Sequence, residues 1–165
     1  MGAVDKHALV QTILARLTAE CELYDRCARA AHEEATHEQN KAEHKYDTRA
    51  LEASYLARGQ ARQAVEAEAA RAAFAAMTPR DFDPGEPIDV TALVEVESLA
   101  TPPERRFYFI AAKAGGTEVV HEGHEVLVIT PQSPLGSRLQ GAKAGERLTL
   151  KLGREERAYR VVSVR

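Results

Sequence analysis

Asn40, Glu43 and Asp47 fall three and four residues apart, a spacing that sets side chains on one face of a helix, so Glu43 and Asp47 present two carboxylates together. Glu38 and His44 lie in the same polar stretch, and Lys41 and Lys45 flank Glu43, so a plain solvated face is the competing reading. His32, His37 and His44 surround the region, and imidazole with carboxylate suits zinc or iron. No pair among them forms a recognised ligand motif, and these histidines are expected to face solvent. Tyr46 is read as a packing residue that anchors the segment. Cys21 and Cys27 do not match zinc-ligand spacing and fall on different helix faces, which makes them reduced packing residues.

A second stretch with chemical content is Gln132-Ser133-Pro134-Leu135, which leads into Gly136-Ser137-Arg138-Leu139-Gln140-Gly141. A serine before a proline can cap a short helix, and the final glycine can end it. Gly115-Gly116 and Gly145-Glu146 lack the glycine spacing of a phosphate-binding loop or a dinucleotide fingerprint. No nucleophilic Ser/His/Asp or Cys/His set stands out in local sequence.

The elements that must carry these residues differ sharply between the two halves. From Asp5 to Met77 there is no proline and one glycine, Gly59, amid strong helix formers. Val10, Leu14, Leu17, Cys21, Tyr24, Ala28 and Ala31 recur at spacings of four and three, the seam of a helix packed along a partner. Leu51, Tyr55, Ala61, Val65, Ala69, Ala72 and Ala76 form a smaller-residue stripe that supplies that partner. Thr36-His37-Glu38-Gln39 matches a capping box and is read as the start of the second helix, which puts the tip between Glu34 and Asn40. An antiparallel coiled-coil hairpin within one chain makes a monomer the expected state. One unbroken helix that dimerises is the alternative. An arm of roughly 30 residues would reach about 45 Å.

Residues 78–87 contain three prolines, a glycine and two aspartates, the composition of a linker. Beyond them the period changes to two, with strands expected at Val90–Val96, Phe107–Ile110, Glu118–Val120, Glu125–Ile129, Arg147–Leu152 and Ala158–Val164. The reading is α+β: a helical hairpin at 1–77, a linker at 78–87, and at 88–165 an antiparallel β-sheet domain with one short helix. A net charge of −3 and a pI near 6.1 argue against affinity gained by wrapping nucleic-acid phosphates, so no sequence-specific DNA binding is expected. No apolar run approaches a membrane span and MGAVDKHALV is unlike a signal peptide, so a cytoplasmic protein without membrane contact is expected.

Val128-Ile129-Thr130-Pro131-Gln132-Ser133-Pro134-Leu135-Gly136, then Leu139-Gln140-Gly141-Ala142-Lys143-Ala144-Gly145-Glu146 and Tyr159-Arg160-Val161-Val162, resemble the C-terminal domain of the Gre family of bacterial transcription elongation factors. That domain has an FKBP-like fold and follows a helical hairpin in the same order. The resemblance implies a factor that holds the rim of the secondary channel of bacterial RNA polymerase through Gln132, Ser133, Pro134 and Leu135. The hairpin tip would enter the channel and touch the nascent RNA end only indirectly. Acidic tip residues would help hold Mg²⁺ shared with the polymerase active site, where two metals stabilise the attacking and leaving oxygens of phosphodiester cleavage. The factor would therefore stimulate the polymerase's own cleavage of backtracked RNA rather than be an enzyme itself.

The family tip carries an acid, two intervening residues, a second acid and an asparagine. Asn40-Lys41-Ala42-Glu43-His44 sets Glu43 on the second acid, while Asn40 replaces the first acid and His44 the asparagine. Asp47 can supply the missing carboxylate from one turn further, or Glu38 can if the chain turns there. This departure keeps open a channel-occupying regulator without cleavage activity, as inhibitory homologues in the family are. Prolyl isomerase activity, which an FKBP-like fold invites, needs an aromatic-lined pocket, whereas Phe107 and Phe109 read more simply as core. A coiled-coil adaptor is the remaining alternative.

Overall fold

The computed structural model describes residues 5–36, 48–152 and 155–165. Helix α1 covers Lys6–Thr36 and α2 covers Thr48–Ala75. The Asp5 side chain accepts a hydrogen bond from the Ala8 N–H at 3.0 Å, satisfying one of the open donors of the first turn of α1. Thr36, expected to open the second helix, is instead the last residue of α1. A capping-box match by itself does not distinguish a cap from residues inside a helix.

By contacts the chain forms two compact units: Met1–Leu14 with Ala73–Arg165, and Ala15–Ala72. The first unit thus takes in both helix ends next to the sheet, a division set by packing rather than by the composition change at residue 78.

In the helical unit Leu17, Ala67 and Ala70 are buried. The stripe expected on the second helix has the right spacing but the wrong phase, since Tyr55 is 65% and Val65 70% exposed. In an alanine-dominated helix every face is nearly equally apolar, so periodicity cannot select the buried one. Cys21 and Glu68 share a hydrogen bond, and burial followed by that carboxylate pushes the Cys21 thiol pKa up. Arg71 holds Glu68 in turn, at 2.8 and 2.6 Å. Cys27 is exposed, which corrects its reading as a packing residue.

In the other unit six strands form one sheet: β1 (Leu93–Ser98), β2 (Arg105–Ile110), β3 (Glu118–His121), β4 (His124–Ile129), β5 (Arg147–Leu152) and β6 (Glu155–Val164). Their order is β3-β4-β2-β1-β6-β5. The sheet is mixed, not antiparallel as expected, because β2 and β4 pair in parallel from Phe107↔Val126 to Ile110↔Ile129. After β2 the chain skips one strand position before laying down β3. The two-residue turn at Glu122-Gly123, both at positive φ, then folds β4 back into the gap alongside β2.

Side-chain alternation along β2 feeds two cores. Tyr108 and Ile110 enter a cluster with Ile88, Val94, Val96, Ile129, Leu139 and Val161. Phe109 points to the opposite face, where its ring meets Phe74 of α2 at 6.2 Å. Residues 78–87 supply Phe82 to the first core. Lys6, 5% exposed, donates to the Arg80 and Thr91 carbonyls and lies 4.9 Å from the Phe82 ring centroid. Burial lowers its pKa below the usual lysine value.

The face that bears Phe109 turns polar along β1, where Glu97 accepts from Arg105 at 3.0 Å and Arg160 at 2.5 Å. These bonds, Arg105 first, hold its carboxyl pKa below the usual range. A depressed folded-state pKa adds stability above the unfolded value of about 4.3, which is lost as pH falls through the folded one. Wild type is therefore expected to melt above Glu97→Gln at pH 7, with the gap closing in acid below pH 4. A gap that is constant across a calorimetric pH series would refute this linkage.

Candidate docking site

The segment after β4 is built around two residues whose polar groups face each other. The Ser133 N–H donates to the Thr130 carbonyl at 3.0 Å and its hydroxyl donates to the same oxygen at 2.7 Å. The hydroxyl also accepts from the Gly136 N–H at 3.1 Å, three residues on, the geometry of a helix N-cap. The Ser137 N–H donates to the Ser133 carbonyl at 2.9 Å, so the helical turn begins at Pro134 although the regular helix α3 is only Gly136–Leu139. Pro134 at the first helical position loses nothing, because that N–H has no intrahelical partner.

Gly136 is required here by space. A Cβ at this position would lie 1.9 Å from the Thr130 carbonyl oxygen and 2.8 Å from the Ser133 hydroxyl. Glycine alone lets the turn approach the end of β4 this closely. At the other end, Gly141 at φ 82° ends the helix, in keeping with its place in the sequence. The Gln140 amide donates to Asp89 at 2.8 Å, and this bond is the leading cause that keeps the Asp89 carboxyl pKa low. No local signal in the sequence places Asp89 beside this segment, because the two are far apart along the chain.

Among the four residues expected to contact a partner, the fold uses some itself. The Ser133 hydroxyl is committed to its cap, and Leu135 is half-buried against the core. Gln132 and Pro134 flank Ser133, and both are exposed to solvent. The turn thus offers an amide side chain and a rigid apolar ring on a backbone fixed by four hydrogen bonds from or to Ser133 and the packing of Leu139, which is 0% exposed.

Glu38, Asn40, Glu43, His44 and Asp47, together with His37 and Tyr46, lie outside the described residues. His32 lies on α1. Among the described residues no group of three or more His, Cys, Asp or Glu side chains is placed to hold a metal ion, and no helix is long and apolar enough to cross a membrane.

No family model and no curated protein matches the chain. Among solved structures it is similar to the transcription factor Gfh1, at 21% identity over 93% of each chain with a TM-score of 0.40. It is likewise similar to GreA factor homolog 1 of Thermus thermophilus, at 21% identity over 92% of this chain and 94% of that one, TM-score 0.39. A third similar structure is the GreA/GreB transcription elongation factor of Nitrosomonas europaea, at 19% identity over 70% of this chain and 92% of that one, TM-score 0.35.

Proposed function

We propose that this protein is a Gre-like elongation regulator that binds bacterial RNA polymerase at the secondary channel and stimulates cleavage of backtracked RNA through Glu43 and Asp47. The observation that carries the reading is the Ser133-Pro134-Leu135 turn with its spaced glycines, the segment that resembles the polymerase-docking part of the family. Two long helices precede the sheet domain in the order that this resemblance calls for. On this reading Pro134 and Gln132 make the rim contact and the second domain is FKBP-like.

The chain's own contribution to chemistry is a pair of carboxylates, whose hard oxygens suit Mg²⁺. The metal, shared with the polymerase site, supplies charge stabilisation to the oxygens exchanged at phosphorus. The protein itself performs no reaction. Asn40, standing where the family has its first acid, favours a second reading in which the same surfaces bind but cleavage is not stimulated.

The test is transcript shortening in a stalled, backtracked complex of polymerase from the same organism. Wild type is expected to release short RNA from the 3′ end, and Glu43→Ala or Asp47→Ala to reduce the rate at least 100-fold, about 2.7 kcal/mol of barrier, with polymerase binding kept. Pro134→Ala is expected to weaken binding instead. Binding without shortening at any Mg²⁺ concentration would select the second reading, and absence of binding would refute both.

A further inference from the structure

Strand register places one transverse row of side chains on the face opposite α3: Arg147 of β5 stands across from Arg160 of β6, Arg160 across from Glu97 of β1, and Glu97 across from Arg105 of β2. Residues directly opposite on neighbouring strands share a face and lie close, and like charges there repel. The Arg147–Arg160 pair is therefore unfavourable for the sheet taken alone. Arg147 is exposed and has no ion pair among the described residues.

The other two arginines are held from below. Arg105 gives its Nε to Glu97 and its Nη1 to Glu95, each at 3.0 Å, and Arg160 gives its Nη2 to Glu97 at 2.5 Å. Glu95 is 3% exposed and also accepts from Ser163 at 3.2 Å, with Arg165 3.8 Å away. These glutamates fix the guanidinium planes yet leave the side chains 56% and 45% exposed. A guanidinium carries five N–H donors, so both Arg105 and Arg160 keep unused donors.

We propose that this arginine row binds the carboxylates of an acidic segment on a partner protein. Planar guanidinium forks match carboxylates in bidentate fashion, and orientation by Glu95 and Glu97 removes part of the ordering cost of binding. At a net charge of −3 the chain lacks the basic long-range field on which affinity for a nucleic-acid backbone rests, so the row acts by local contact, which suits a short run of carboxylates. The row lies on the face away from the cluster containing Leu139, so it is a second surface, separate from Pro134, and does not depend on the identity of the polymerase partner.

The experiment is fluorescence anisotropy with the full chain and a labelled peptide of alternating Asp and Glu at low salt, with an RNA strand of equal charge as competitor. Saturable binding is expected, with Arg147→Glu and Arg160→Gln each weakening it at least tenfold. Arg138→Glu, exposed on α3, should leave affinity within twofold. The Arg147→Glu variant should melt no lower than wild type, because it replaces a repulsive pair with an attractive one; a role in folding alone would not separate stability from binding in this way. Absence of saturable binding, an equal loss in Arg138→Glu, or displacement of the peptide by RNA at lower concentration would overturn the proposal.

Discussion

Gly136→Ala is expected to destabilise the protein by about 3 kcal/mol, at the top of the usual range for overpacking. The added methyl would meet the Thr130 carbonyl oxygen at 1.9 Å and its carbon at 2.8 Å. Both are backbone atoms at the end of a central strand, so neither can swing aside as a flexible side chain would. Relief requires the turn to lift, which breaks the Ser133 hydroxyl bonds to Thr130 and Gly136 and withdraws Leu139 from the core. Gly141→Ala is the informative comparison. That glycine has a positive φ, but a methyl group added there would meet nothing within 4 Å, and strain at such a φ costs only about 1–2 kcal/mol. Urea denaturation of both variants separates close approach from backbone conformation, and a Gly136→Ala midpoint at or above that of Gly141→Ala would sink the steric account. If Pro134 makes the rim contact, the displaced turn should also bind polymerase more weakly than its residual stability explains.

Phe74→Ala is expected to cost about 4 kcal/mol, in the range for deleting a buried phenyl ring. Phe74 is 1% exposed and packs on Phe109, itself 0% exposed, with ring planes tilted by 47°. The pair joins the last turn of α2 to the sheet face, so the empty volume would open where helix meets sheet and neither backbone can readily collapse into it. Phe74→Leu keeps most of the volume and should lose about half as much. Val65→Ala, on the same helix but 70% exposed, should change stability by less than about 0.5 kcal/mol. Denaturant titrations of the three variants give the ordering. Equal effects for Phe74→Ala and Val65→Ala would mean that the end of α2 is not anchored on the sheet.

The uneven cost along α2 follows the distribution of large apolar side chains in the two helices. Leu9, Val10, Ile13 and Phe74 are buried in the sheet-bearing unit. The helical unit relies on Leu17, on small alanines and on exposed i,i+4 pairs such as Arg29–Asp25 at 2.9 Å and Arg62–Glu66 at 3.0 Å. Such surface pairs contribute only a few tenths of a kcal/mol each. Burial of large apolar side chains from α1 and α2 thus falls mainly on the residues that belong to the sheet-bearing unit.

Several features were legible in the amino-acid order because they rest on local chemistry. The absence of proline over Asp5–Met77 predicts α1 and α2, alternation predicts all six strands to within a few residues, and Ser133, Pro134 and Gly141 predict the capped turn from its own cap and stop signals. Other features depend on residues distant in sequence. Nothing near β4 announces that it runs parallel to β2; that follows from a crossover which leaves a vacant strand position for the next hairpin to fill. That Ala67 and Ala70 are the alanines of α2 that face inward is decided by packing, because the helix has no strongly apolar stripe of its own. Lys6 in the first turn of α1 looks like a solvent-facing cation, yet carbonyls of Arg80 and Thr91 and the ring of Phe82 bury it. The arginine row exists only through strand register, since Arg105, Arg147 and Arg160 sit on three strands that the sheet order brings together. Periodicity and capping belong to a segment and can be read from it, whereas register, phase and burial belong to pairs of segments and are decided only when the chain packs.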